Sequence, residues 1–277
     1  MTDKEQAGAP DESWVAGVAA AGPTSGVIAN PLFEYLCRLA DDRLVLGHRL
    51  SQWCGHAPIL EEDIALGNFA LDFIGQASAL LKVAGEVEGQ GRDEDALAFL
   101  RNENEFRNAQ LVELPIGDFG FTLVRQFLFD AFDVLLLDGL TRSSHATLAG
   151  IAGKALKEAR YHVRHSAEWV VRLGDGTEES HRRAQRALDE LWPFARELFE
   201  SDAVDQAMIA EGIGPDAAAL RDQWESTVRD VLARATLTVP EASRIVTGGR
   251  RGRHTESLGH MLAEMQILAR SHPGAKW

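Results

Sequence analysis

From Pro31 onward, apolar residues recur at three- and four-residue steps: Leu32, Tyr35, Leu36 and Leu39, then Leu46, Leu50 and Trp53. That period predicts an α-helix that stops before Gly55 and Pro58. A second long helix is expected from about Pro58 to Glu88, with Pro58 in its first turn and Glu61, Glu62 and Asp63 favoured there by the helix dipole. A shorter helical piece over about Asp93 to Val112 leads to the breaker Leu114-Pro115-Ile116-Gly117. The third main helix, about Asp118 to Thr141, is apolar on most of its circumference, as a helix buried by several neighbours must be. Ser143 or Ser144 is placed to cap the fourth, which halts at Gly174-Asp175-Gly176. Thr177 caps a fifth, running to about Glu200, and two more are expected near Pro215 to Ala235 and Glu256 to Arg270. No strand alternation or internal repeat is visible, so the reading is all-α. Residues 1–28 lack periodicity and read as a flexible N-terminal tail before a helical domain over 29–277.

Polar residues interrupt these apolar helices at helical spacing. Asn68, Asp72 and Gln76 form a strip on the second, Gln126, Asp130 and Asp133 on the third, and Glu158, His162 and His165 on the fourth. On the first, His48 and Gln52 are four apart, and a solvated face is the simplest reading there. Packed together, such strips would recreate a carboxylate-bridged metal centre, which a ferritin-like four-helix bundle builds from two glutamates and two Glu-x-x-His pairs. Here the histidines are absent at that spacing: Asp72 is followed by Gly75 and Glu158 by Tyr161. Asp72, Asp130, Glu158, His162 and His165 therefore read as a vestigial site, with no catalytic or metal-binding role assigned. The third helix leaves little room for a solvent face, so Asp130 should be buried and needs a partner. Tyr161, His162, Gln126 and Arg125 are the expected partners of the acids. Rescue of a metal site by His162, four residues from Glu158, is the competing possibility.

A net charge of -14 argues against sequence-independent nucleic-acid binding. Two cysteines, Cys37 and Cys54, give no disulfide framework and suit a reducing, cytoplasmic setting. The start has acids where an export signal needs a basic and then an apolar stretch. Phe119 to Leu140 carries Arg125, Asp130, Asp133 and Asp138, which disfavours a bilayer span. There is no Walker loop, dinucleotide fingerprint or paired Cys-x-x-Cys. The glycine-rich basic run from Gly248 to Arg253 lacks the strand of a phosphate loop. It reads either as an exposed linker or as a contact for an acidic partner or anion through Arg250, Arg251, Arg253 and His254. Trp53, Trp169 and Trp192 are expected to be buried anchors.

Six separated blocks carry a family resemblance: WCGHAP with LEEDIAL, ALDFIGQA, RDEDALAFLRNENEFRN, VRQFLFDA, KALKEARYHVRHSAEWVVRLGDGTEES and TGGRRGRHTESLGHMLAEMQ. From about residue 30 to the C-terminus, the chain resembles the PaaC family of subunits of the phenylacetyl-CoA epoxidase (ring 1,2-phenylacetyl-CoA epoxidase) complex. The resemblance implies a ferritin-like four-helix bundle with additional C-terminal helices, acting as the non-catalytic partner of a related catalytic subunit, denoted A. It places the di-iron centre in that catalytic partner, and flavin, an iron-sulfur cluster and NADPH with a reductase subunit. This chain is then expected to hold no cofactor and to assemble with the catalytic partner and with small bridging and reductase subunits, apart from nucleic acid and membrane. The complex is a monooxygenase of aerobic phenylacetate degradation, and this subunit would stabilise its catalytic partner. The alternative is a di-iron carboxylate protein with its own oxygenase or iron-binding activity.

Overall fold

Asn30 opens the first helix, its side-chain oxygen accepting the Phe33 N–H at 3.1 Å while Pro31 takes the position where a missing donor costs nothing. The computed structural model describes residues 30–241 and 245–275, so the tail expected over 1–28 lies outside the described residues. Among the described residues, ten α-helices follow in order: α1 Pro31–Ser51, α2 Leu60–Glu88, α3 Glu94–Phe99, α4 Gln110–Glu113, α5 Phe119–Leu140, α6 Ala146–Gly174, α7 Glu178–Ala195, α8 Ala203–Ala210, α9 Arg221–Arg234 and α10 Glu256–Ser271. No strand occurs among the described residues.

The bundle is two helical hairpins. α1 packs along α2 and α5 along α6, and the pairs meet where α2 faces α6. α7 and α9 cover α5 and α6, α8 covers α1, α3 packs on α2, and α10 packs on α3. One apolar core runs through these helices, from Leu36 and Phe73 through Phe127 and Leu156 to Leu188, Trp224 and Leu258.

Several boundaries differ from the expected ones for local reasons. Pro58 precedes α2, whose first residue is Leu60. The piece expected over Asp93 to Val112 breaks after Phe99, because Arg101 is drawn inward to the buried carboxylate of Asp41 and over the Phe106 ring. α6 is capped by His145, whose ring accepts the Leu148 N–H at 3.3 Å, because Ser144 is tied instead to Glu211. Thr177 caps α7 as its sequence indicates, accepting the Ser180 N–H at 3.1 Å, and the helix tightens into a 3-10 turn at Arg196–Phe199. α9 starts only at Arg221, after a 3-10 turn at Ala218–Leu220. α8 had no counterpart in the periodicity. Its Asp202 cap and Asp205 both bind Arg38, at 2.7 and 3.0 Å. Trp53 and Trp192 are buried as expected, and Trp169 is half-buried with its ring edge-on to Phe119.

The charges of α1 lie inside the bundle, and the face expected to be solvated is half-buried. Arg38, Asp41, Asp42, Arg43 and Arg49 are all buried, and His48 and Gln52 are half-buried. Each charged group reaches a different element. Arg38 holds α8, Asp41 holds Arg101, Asp42 holds Arg250 at 2.8 Å, Arg43 holds Asp133 of α5 at 2.5 Å, and Arg49 donates to the Glu113 and Ser257 carbonyls. A buried ion is tolerated when it is paired and hydrogen-bonded, so α1 can be charged and central at once.

Candidate functional site at the bundle interior

Where α2, α5 and α6 meet α1, the polar strips pair off into three separate groups. Nε2 of His162 stands 3.0 Å from Asp72 Oδ2, between the rings of Phe69 and Phe73 at centroid distances of 4.0 and 5.1 Å. One turn later on α6, Ser166 donates to Asp130 Oδ2 at 2.8 Å, and Gln126 donates to its other oxygen at 2.6 Å. Gln76 donates to Glu158 at 2.8 Å and accepts from Arg43 Nε at 3.0 Å, while the other end of that guanidinium reaches Asp133. At the far end, His165 Nε2 stands 3.0 Å from Glu62 Oε2, an ion-pair distance without hydrogen-bond alignment.

The electrostatics follow from burial. Asp130 is pushed well above the usual carboxylate range by loss of water, against which its bonds from Ser166 and Gln126 are the smaller effect. Desolvation also raises Asp133, opposed by Arg43. Burial lowers His162, partly offset by Asp72, and lowers His165, partly offset by Glu62. His162 is therefore neutral near pH 7. Its Nε2–H donates to Asp72, and its Nδ1 has no partner.

The structure links Asp72 and His162 to Asp130 through Ser166, and places Glu158 in a separate group with Gln76, Arg43 and Asp133, so the candidates do not surround one point. Asp72 and Glu158 lie half-buried at the α2–α6 seam, while Asp130 is enclosed. The two positions at which a di-iron bundle would carry histidine, Gly75 and Tyr161, face outward. The neighbouring positions at the same spacing that do face inward include Phe73 with Gln76 on α2 and Ala159 with His162 on α6. Of the expected neutralising groups, Gln126 and His162 do meet acids. Tyr161 meets none and packs edge-on to Phe69. Arg125 is buried but donates to the carbonyls of Leu114 and Pro115 at 2.5 and 3.2 Å, and its pKa is pushed down to about 9 by desolvation and then by Arg49. Arg43, Glu62 and Ser166 were missed by sequence reasoning. The three consecutive charges Asp41-Asp42-Arg43 inside an apolar helix were the available signal.

This donor set does not fit a di-iron centre. Such a centre needs several carboxylates free to bridge cations. Here a guanidinium already occupies the interior beside Asp133, Asp130 favours its neutral form, and Asp72 and Glu158 are each bonded by a neighbouring side chain. Among the described residues, no three His, Cys, Asp or Glu side chains are grouped to share an ion.

The glycine-rich basic segment is an internal clasp, and two of its proposed contact residues are not available to a partner. Arg250 is bound to Asp42 and to the Arg107 carbonyl, and the His254 side chain lies wholly buried between Glu113 at 2.7 Å and the Phe106 carbonyl at 3.0 Å. The backbone is equally committed. Glu197 accepts the N–H groups of Gly248 and Gly249, each at 2.7 Å, and a Cβ on Gly249 would fall 2.2 Å from the Asn108 carbonyl oxygen. Arg251 and Arg253 are exposed, Arg251 lying 3.6 Å from Glu200.

Comparison with known proteins places this architecture. The model of a family described as phenylacetic acid catabolic protein, PaaA/PaaC, matches residues 20–277. The chain is also similar to a protein of Escherichia coli (strain K12) named as the C subunit of 1,2-phenylacetyl-CoA epoxidase. The two are 50% identical over 248 residues, which cover 90% of this chain and all of the relative.

Proposed function

We propose, because the chain belongs to the phenylacetic acid catabolic protein family, that it is the structural subunit of a phenylacetyl-CoA ring epoxidase, holding a homologous di-iron catalytic subunit in its active form during aerobic phenylacetate degradation. The relative's name supplies the complex and its substrate. The observation that carries the division of labour is Arg43: its side chain, 1% exposed, supplies positive charge to the interior through Asp133 and Gln76. The reaction, with its flavin, iron-sulfur and NADPH requirements, then belongs to other subunits, and this chain works in the cytoplasm as a scaffold. A rigid bundle with its interior acids neutralised by its own side chains is stable without metal, which suits that role.

The test is co-expression with the homologous catalytic subunit, separation of the chains and metal analysis of each. The expected result is a stable complex with iron in the partner and substoichiometric metal here. About two irons on this chain, the complement of a di-iron bundle, would establish the competing reading as an oxygenase or iron-binding protein in its own right.

A further inference from the structure

The most apolar stretch of α2 is far less covered than its composition demands. By length and hydropathy this helix could cross a membrane, yet only 44% of its most apolar window is buried within the chain. Leu60, Ile64 and Leu71 lie on its outer face with 71, 56 and 69% of their surface exposed. Gly75, one turn beyond Leu71, continues that face, and a Cβ there would meet nothing within 4 Å. A mid-helix glycine weakens a helix and has no packing reason inside this chain. A second helix pressed closely against it would supply one.

The stripe continues onto α6. Tyr161, 48% exposed, stands over Phe69 across the seam. Beside it runs a cationic ridge: Lys154, Lys157, Arg160 and Arg164 are exposed or half-exposed at helical spacing, with Arg164 over the Tyr161 ring at 5.5 Å. Among the described residues, Lys157 and Arg160 have no ion-pair partner, an unusual concentration of free positive charge on a chain of net charge -14. An apolar centre with a charged rim is the anatomy of a protein interface, and the rim's sign selects the partner.

We propose that the outer face of the α2–α6 pair docks a second, different protein subunit that presents an apolar helix flanked by carboxylates. This inference rests on the subunit reading above and identifies the surface that serves it. A second copy of this chain is a poor match. Its carboxylates along the seam, Asp72 and Glu158, are already bonded internally, and two-fold pairing would set cationic ridges against a face with no free acidic row. A lipid surface is a poor match as well, because Glu61, at the start of the same helix, is exposed beside Leu60.

The experiment measures affinity between the full chain and the homologous bundle subunit, at low and high salt, for wild type, Leu71→Glu, Lys157→Glu/Arg160→Glu and the distant control Ile267→Glu. Leu71→Glu is expected to weaken binding by roughly thirtyfold or more, the loss of an interface hot spot. The double charge reversal should slow association and abolish its salt dependence, and Ile267→Glu should match wild type, all with unchanged thermal unfolding. Binding indifferent to both face variants, or weakened equally by Ile267→Glu, overturns the surface while leaving the proposed function standing. So does self-association, or adhesion to phosphatidylcholine–phosphatidylserine vesicles, that Leu71→Glu abolishes. A wild-type chain that binds no homologous subunit overturns the proposed function itself, and the surface with it.

Discussion

Arg43 and Asp133 lie 90 positions apart and meet in the bundle interior, Nη2 to Oδ1 at 2.5 Å, with both side chains 1% exposed. This pair ties α1 to α5 across the space between the two hairpins. Removing one member leaves a buried charge without compensation. Arg43→Met should therefore cost about 3–5 kcal/mol in urea denaturation, whereas Arg43→Met/Asp133→Leu should recover most of that loss.

Asp130 allows a sharper contrast. Burial holds its carboxyl well above the ordinary range, which favours the neutral form. Asp130→Asn keeps the shape and two polar atoms and should change stability by less than about 1 kcal/mol. Asp130→Ala strands the Ser166 hydroxyl and Gln126 amide, with an expected cost of about 1–3 kcal/mol. Equal effects of the two substitutions in the same denaturation assay would contradict a neutral, hydrogen-bonded carboxyl.

His48, His162 and His165 all have folded pKa values below the ordinary 6.5, with desolvation the leading cause. The unfolded chain binds protons at these sites before the folded chain does, so stability is full above the unfolded value and falls as pH drops through about 6.5. Denaturation midpoints across a pH series should show this acid loss. His162→Gln, which retains an N–H for Asp72, should make the fall shallower.

His254 has the opposite sign. Both ring nitrogens face acceptors, and although burial lowers its pKa, the bonds to Glu113 and Phe106 raise it overall. Its contribution is complete below the unfolded imidazole value and is lost as pH rises through the folded one. Amide exchange in α10, corrected for intrinsic rate, should accelerate over that range in wild type and lose the dependence in His254→Gln.

The clasp predicts different outcomes for adjacent arginines. Arg250→Met leaves the buried Asp42 carboxylate unpaired and should cost about 3–5 kcal/mol. Arg251 is exposed, 3.6 Å from Glu200, and Arg251→Met should cost less than about 1 kcal/mol. Thermal unfolding of the two variants separates an internal strut from a surface charge.

Sequence periodicity alone determined that this chain is a set of long helices, that α5 is enclosed, that Thr177 starts α7 and that the polar strips of α2, α5 and α6 belong together. Helical spacing shows which side chains share a face, but not where that face points. Only the tertiary structure decided that Gly75 and Tyr161 look outward, that His162 and Gln76 look inward, and that the charges of α1 are buried. The same holds for Gly248–His254, where solvent-like composition hides a packed clasp because its partners, Asp42, Glu113 and Glu197, are distant in sequence. Burial of a charge depends on whether a counter-charge reaches it in space, and linear order does not encode that distance.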